Sequence, residues 1–238
     1  VEKENAVLFI HGILGTPHHF DFLREILPEG FTAKSLLLTG HGGSTRDFGK
    51  SSMAQWMEQC ESALLELSAS HKRVFLVGHS MGSLLAVHLA LVHPDKVSGI
   101  FALAIPLRIR FGIKALASSL HSAFAPPETD SPFQRVCRDA CSVRLSKNPF
   151  AYLPWLPRFL ELFALSREIR KAMPNLKVSC KLIQSSRDEL VSTASARFAA
   201  GAETLFLPES FHYFYSEKDR GRILEEWIRF IAEHIERG

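Results

Sequence analysis

The chain is poor in cysteine: Cys60, Cys137, Cys141 and Cys180 are all it has in 238 residues. So few thiols in a chain this long do not make a disulfide framework. Cys137 and Cys141 lie one helical turn apart, but no second Cys or His pair stands at zinc-finger spacing. Reduced thiols fit a cytoplasmic protein, and that compartment is the expectation. Charge imbalance is missing as well. The 28 basic and 25 acidic side chains leave a net charge of +3, so no nucleic-acid partner is expected, because that role needs a concentrated basic face. No apolar run is long enough for a transmembrane segment, and no signal-peptide pattern is visible. Repeats and low-complexity tracts are also lacking. Apolar bulk is plentiful: 46% of the residues are hydrophobic and 22% charged, enough to bury a sizeable core and to exclude global disorder.

That bulk alternates between two periods. Short β-rich runs at 6–10, 33–38, 74–77, 97–105, 177–184 and 203–207 read as buried strands. Between them lie helical patterns. One spans 17–27 with Phe20, Leu23 and Leu27 on a face. Another opens at the capping box Ser52-Met-Ala-Gln55 and turns Trp56, Cys60, Ala63, Leu64 and Leu67 inward. A third follows Gly82 and stops before Pro94. The last, about 217–235, carries Ile223, Leu224, Trp227, Ile228, Ile231 and Ile235 on one stripe. Such alternation predicts an α/β fold, a mostly parallel sheet with helices on both faces. Residues 106–172 break the rhythm with no convincing strand, repeated prolines and many aromatics. They read as an inserted helical cap on a core formed by 1–105 and 173–238.

Four local patterns carry chemistry. The first is Gly78-His79-Ser80-Met81-Gly82, set between an apolar strand and an apolar helix. A serine on so tight a turn projects its hydroxyl above the sheet, and glycines two residues either side relieve the crowding. The second is His11-Gly12-Ile13-Leu14-Gly15 after the first strand. Acyl-bond hydrolysis needs two donors for the oxyanion of the tetrahedral intermediate. The amide of Met81 supplies one, and Ile13 is the natural candidate for the other. The third is Asp188, just past the fifth strand, able to orient a histidine, with Glu189 as the adjacent rival. The fourth is His212, which of the eleven histidines alone follows the acid loop and precedes the last helix. His79 is expected to point away from the site, and His234 to be a solvated surface residue.

With Ser80, Asp188 and His212 in the order nucleophile, acid, base, the sequence resembles the α/β-hydrolase superfamily, within it the small carboxylesterase and monoacylglycerol-lipase-like group. The residues that carry the resemblance are His11-Gly12 with Gly15, Gly40-His41-Gly42, the turn from Gly78 to Gly82, Asp188 with Val191, and His212. They spread over nearly the whole chain outside the insert. The resemblance implies a catalytic triad of Ser80, Asp188 and His212, an oxyanion hole at Ile13 and Met81, and no cofactor. Ser83 departs from the pattern where another Gly is often found. Six strands rather than eight imply that the first hairpin is missing or trimmed.

A serine nucleophile sets the chain apart from haloalkane dehalogenases, which use Asp, and from dienelactone hydrolases, which use Cys. Esters, thioesters, amides, peptides and some carbon–carbon bonds stay open as substrates, as does a catalytically silent scaffold used for binding. A small-molecule ester of small to medium acyl chain is the expected substrate. The insert holds Phe111, Phe124, Phe133, Phe150, Tyr152, Trp155, Phe159 and Phe163 among an excess of basic residues. One reading is a lid whose apolar underside takes an acyl chain, with Phe159 and Trp155 as substrate-binding residues and a basic rim in weak contact with lipid surfaces. The other is a helical cap whose aromatics pack on the core.

Overall fold

Strands that are apolar on both sides require cover on both sides of their sheet. The computed structural model, which describes residues 4–110, 126–199 and 201–236, meets this with β1 (Asn5–Ile10), β2 (Phe31–Leu36), β3 (Arg73–His79), β4 (Gly99–Leu103), β5 (Cys180–Ser185) and β6 (Glu203–Leu207). They lie in the order β2-β1-β3-β4-β5-β6, and all pairings are parallel. From β1 the chain steps to one side for β2 and then crosses back to the other for β3. The strand order therefore reverses beside β1, and the carboxyl ends of β1 and β3 are where sheets of this kind place their ligand sites.

Side chains alternate across each strand and so feed two cores. Ala6, Leu8, Ile10 and Leu76 face one side. There they meet α3 (Met53–Ser68), α4 (Met81–Val92) and α6 (Leu156–Ala172) through Trp56, Leu64, Leu84, Leu162 and Leu165. Val7, Phe9, Phe75, Val77 and Phe101 face the other side. They pack on the 3-10 turn Pro17–Phe20, on α1 (Asp21–Arg24) and on α7 (Glu217–Glu236), with Phe20, Leu23, Trp227 and Phe230 at the contact. The expected doubly covered parallel sheet is thus present.

Several boundaries differ from the sequence expectation, each for a local reason. The helix expected over 17–27 is a 3-10 turn and the short α1, because Pro28 and the left-handed Gly30 (φ 89°) turn the chain back into β2. β2 stops at Leu36 instead of residue 38, since the amide of Leu38 is taken by Nε2 of His11 at 3.0 Å. β4 ends at Leu103, where Ala104 adopts φ 51°. On α7 the stripe is rotated: Ile228 is exposed and Phe230 buried. His234 is half-buried rather than fully solvated; its Nδ1–H donates to the Phe230 carbonyl at 2.7 Å and its ring lies 4.3 Å from that of Phe230.

The described part of the insert holds α5 (Pro132–Asp139), a 3-10 segment (Pro149–Trp155) and α6. Phe111, Phe124 and the side chain of Phe133 lie outside the described residues. The insert is fastened to α2 (Thr45–Lys50) and the start of α3. Trp155 is buried, its indole N–H donates to the Thr45 carbonyl at 2.8 Å, and its ring meets Phe48 at 4.8 Å. Arg158 donates to the carbonyls of Gly49 and Ser51, and Glu161 accepts from the Met53 amide at 3.0 Å. Trp155 therefore clamps cap to core. Trp155→Ala should lower unfolding stability by about 3–5 kcal/mol, the range for truncating a buried aromatic. Denaturant titration checks this, and a loss under about 1 kcal/mol would remove the clamp.

Candidate active site

β3 runs directly into α4 through one residue, Ser80, at φ 52° and ψ −120°. A non-glycine held in such a conformation costs on the order of 1–3 kcal/mol and persists only where its surroundings impose it. Those surroundings are tight. A Cβ on Gly82 would fall 1.8 Å from the Ile10 carbonyl oxygen, and one on Gly78 would fall 2.5 Å from the backbone of Gly82. The Ser80 amide donates to the Leu103 carbonyl at 2.8 Å, and its carbonyl accepts from Ser83 at 2.9 Å. Ser83 is fully buried, and its hydroxyl lies 2.8 Å from the Gly78 carbonyl and 3.0 Å from that of Leu103. The residue that departs from the family pattern thus ties the turn to β4. Met81 opens α4, so its amide is one of the free N–H groups of a helix start, next to Ser80.

Asp188 and Glu189 divide their work. Oδ2 of Asp188 lies 2.8 Å from Nδ1 of His212, and Oδ1 accepts the amides of Leu190 and Val191 at 2.8 and 2.7 Å. Glu189 accepts the backbone amide of His212 at 3.2 Å. Asp188 thus holds the ring, and Glu189 the backbone. Burial pulls the His212 pKa down, but the Asp188 carboxylate, its hydrogen bond and the more distant Glu189 outweigh that and raise it above the usual 6.5. Nε2 of His212 is buried and has no hydrogen-bond partner among the described residues. The loop that carries His212 is anchored from α7, where the buried Asp219 accepts from the Ser210 hydroxyl at 2.7 Å and the Glu209 amide at 2.9 Å.

His79 does not point away from this group, as the sequence suggested. Its Nε2–H donates to the carbonyl of His212 at 3.0 Å, and the two rings lie 4.8 Å apart. Burial, with neighbouring imidazoles, holds its pKa well below the ordinary histidine value. Adjacency to Ser80 was the sole signal in the sequence, and it does not specify direction.

The loop after β1 borders the same turn. A Cβ on Gly12 would fall 3.0 Å from the Cβ of Ser80, so this backbone passes directly against the serine. The Gly15 amide closes onto the Gly12 carbonyl at 2.9 Å, and Leu14 is left-handed at φ 60°. The structure therefore gathers Ser80, Met81, Ile13, Asp188 and His212 at the carboxyl edge of the sheet. Trp155 is engaged on α2, and Phe159 is half-buried against the first core.

A family model described as serine aminopeptidase, S33 matches residues 1–219. The thermostable monoacylglycerol lipase of Bacillus sp. (strain H-257) is 26% identical over 96% of this chain and 91% of its own length. A solved structure from LipS and LipT, two metagenome-derived lipolytic enzymes, superposes with a TM-score of 0.73 at 25% identity, covering 98% of this chain and 96% of its own. A soluble variant of monoglyceride lipase from Saccharomyces cerevisiae shares the fold at TM-score 0.71 and 15% identity, over 98% of this chain and 87% of its own.

Imidazole NMR tests the wiring of His212. Its titration midpoint should lie above 6.5. Asp188→Asn removes the larger charge effect and leaves burial in control, so the midpoint should fall below that of the parent protein. Glu189→Gln keeps an acceptor for the His212 amide and should lower it less. A larger drop with Glu189→Gln would reverse the two roles.

Proposed function

Since the chain belongs to the serine aminopeptidase S33 family of α/β-hydrolases, we propose that it hydrolyses a carboxylic ester of small to medium acyl chain, monoacylglycerols included, through an acyl-enzyme on Ser80. The observation that carries this reading is the left-handed Ser80 at the start of α4, at the same sheet edge as the 2.8 Å pair of His212 and Asp188. In the proposed course, Oγ of Ser80 adds to the ester carbonyl carbon while Nε2 of His212 takes its proton. The oxyanion forms against the amides of Ile13 and Met81. His212 then returns the proton to the leaving alcohol, and water, activated in the same way, releases the acid. Asp188 keeps the proton of His212 on Nδ1 and stabilises the charged ring.

Ser80→Ala should leave the fold intact and lower the rate on a short ester at least about a thousandfold. A variant that keeps most of the rate, or a parent protein that takes up no fluorophosphonate, would overturn the reading. Because the base must be neutral, activity should fall as pH drops through the raised His212 pKa, which places the acid limb of kcat/KM above 6.5.

The relatives named for lipolysis favour an acyl-chain substrate, and so does the cap. Phe150, Leu153, Leu156 and Leu160 are each more than half exposed, and the exposed Arg144 and Lys147 precede them in the chain. Exposed apolar side chains with cations close by in the chain suit weak contact with an anionic lipid surface. On a panel of esters, apparent affinity should rise several-fold per two carbons, bounded by about 0.8 kcal/mol per buried CH₂, and then fall. Phe159→Ala should move that optimum and leave acetyl-ester hydrolysis unchanged. An unmoved profile would take Phe159 out of the acyl pocket.

A further inference from the structure

The Gly40-His41-Gly42 loop supplies none of the groups of the proposed triad, yet His41 is buried between Phe48, Trp56 and His11, with ring distances of 5.2, 5.2 and 4.6 Å. Its two nitrogens are both engaged with backbone. Nε2 accepts the amide of Leu14 at 3.1 Å, and Nδ1–H donates to the Leu38 carbonyl at 3.2 Å. His11 makes a matching pair of bonds. Its Nδ1–H donates to the Gly12 carbonyl at 2.8 Å, and its Nε2 accepts the Leu38 amide at 3.0 Å. Leu38 is thus gripped by one imidazole at its N–H and by the other at its carbonyl.

The planarity of the peptide bond gives these contacts their meaning. The Gly12 carbonyl and the Ile13 N–H belong to one peptide plane and point in opposite directions. Holding that carbonyl on His11 and on the Gly15 amide fixes the direction of the Ile13 N–H. The Ile13 carbonyl and the Leu14 N–H form the next plane, and His41 holds that one. Leu14, at φ 60°, is in a conformation that needs such support.

We propose that His41, acting with His11, is a positioning residue that locks the two peptide planes on either side of Ile13 and so aims the Ile13 N–H at the oxyanion. The proposal rests on the Ser80 acyl-enzyme reading, with Ile13 as a donor. It requires both imidazoles to be neutral, because each must accept an N–H at Nε2. Burial provides this, lowering the pKa of His11 to about 4 and that of His41 to about 3.

The test compares His41→Phe, which keeps a ring and loses both bonds, with His41→Gln, whose amide can still accept from Leu14. On a short ester, His41→Phe should lower kcat about ten- to a hundredfold with KM within about threefold, a smaller loss than deleting an oxyanion donor outright. Affinity for a trifluoromethyl ketone should fall by the same factor as kcat/KM, and His41→Gln should recover part of both. A folded phenylalanine variant with kcat within about twofold of the parent would overturn the proposal. So would a rate loss without loss of ketone affinity, or a glutamine variant no better than phenylalanine.

Imidazole nitrogen NMR of the parent protein covers the case in which His41→Phe does not fold. His41 should keep a bare Nε2 and a protonated Nδ1 from about pH 5 to 8. A protonated Nε2, or titration near the ordinary histidine value, would refute the clasp. Failure of the Ser80 reading itself would register separately, as ester hydrolysis that survives Ser80→Ala.

Discussion

The amino end of α4 is pressed against the carboxyl end of β1 so closely that even a methyl group on Gly82 would overlap the Ile10 carbonyl. Most of the site depends on this contact. It forces the chain to turn from β3 into α4 through a single left-handed residue, Ser80, and it brings the Gly12 backbone alongside that residue. It also sits beside β1, where the strand order reverses, the place at which sheets of this kind bind their ligands. The hydrogen bonds of Ser83 to Gly78 and Leu103 carry the constraint across to β4.

A second theme is the sorting of buried histidines by partner. His11, His41 and His79 face backbone groups, which leaves burial to hold their pKa values down. His212 faces a carboxylate, and its pKa is raised in spite of comparable burial. The same side chain thus serves as a fixed neutral connector in three places and as a titratable group in one. A histidine's neighbours, and not its depth, decide which of these it becomes.

Much of this was legible in the sequence because it rests on local pattern. Apolar runs of strand length marked the sheet. The glycines flanking Ser80 marked a turn too tight for side chains, and the placement of Asp188 and His212 after successive strands marked one sheet edge. What stayed hidden depends on direction or on contacts distant in sequence. Nothing near His79 reveals that its ring turns toward His212, more than a hundred residues later. Nothing near Trp155 reveals that its indole reaches the Thr45 carbonyl, 110 residues earlier. Leu38 looks like strand, yet its amide is claimed by His11. The stripe on α7 was read one contact off, because the amphipathic face is broad enough to accept either Ile228 or Phe230 and packing against Phe75 and Phe101 selects the latter.

The fastening of the cap has an evolutionary side. On the core side its acceptors are the main-chain carbonyls of Thr45, Gly49 and Ser51. Ser142 likewise reaches the carbonyls of Leu14 and Gly15. A carbonyl is the same whatever residue bears it, so these bonds do not depend on side-chain identity in α2. The Phe48 ring on Trp155 does, and so does Gly49, where a Cβ would fall 2.7 Å from Pro154. The cap can therefore vary in sequence on an unchanged core, provided it keeps donors at Trp155, Arg158 and Ser142 and the contacts of Trp155 and Pro154 with Phe48 and Gly49. Such a joint confines the requirement on the cap to a few residues and leaves the rest of it free to change.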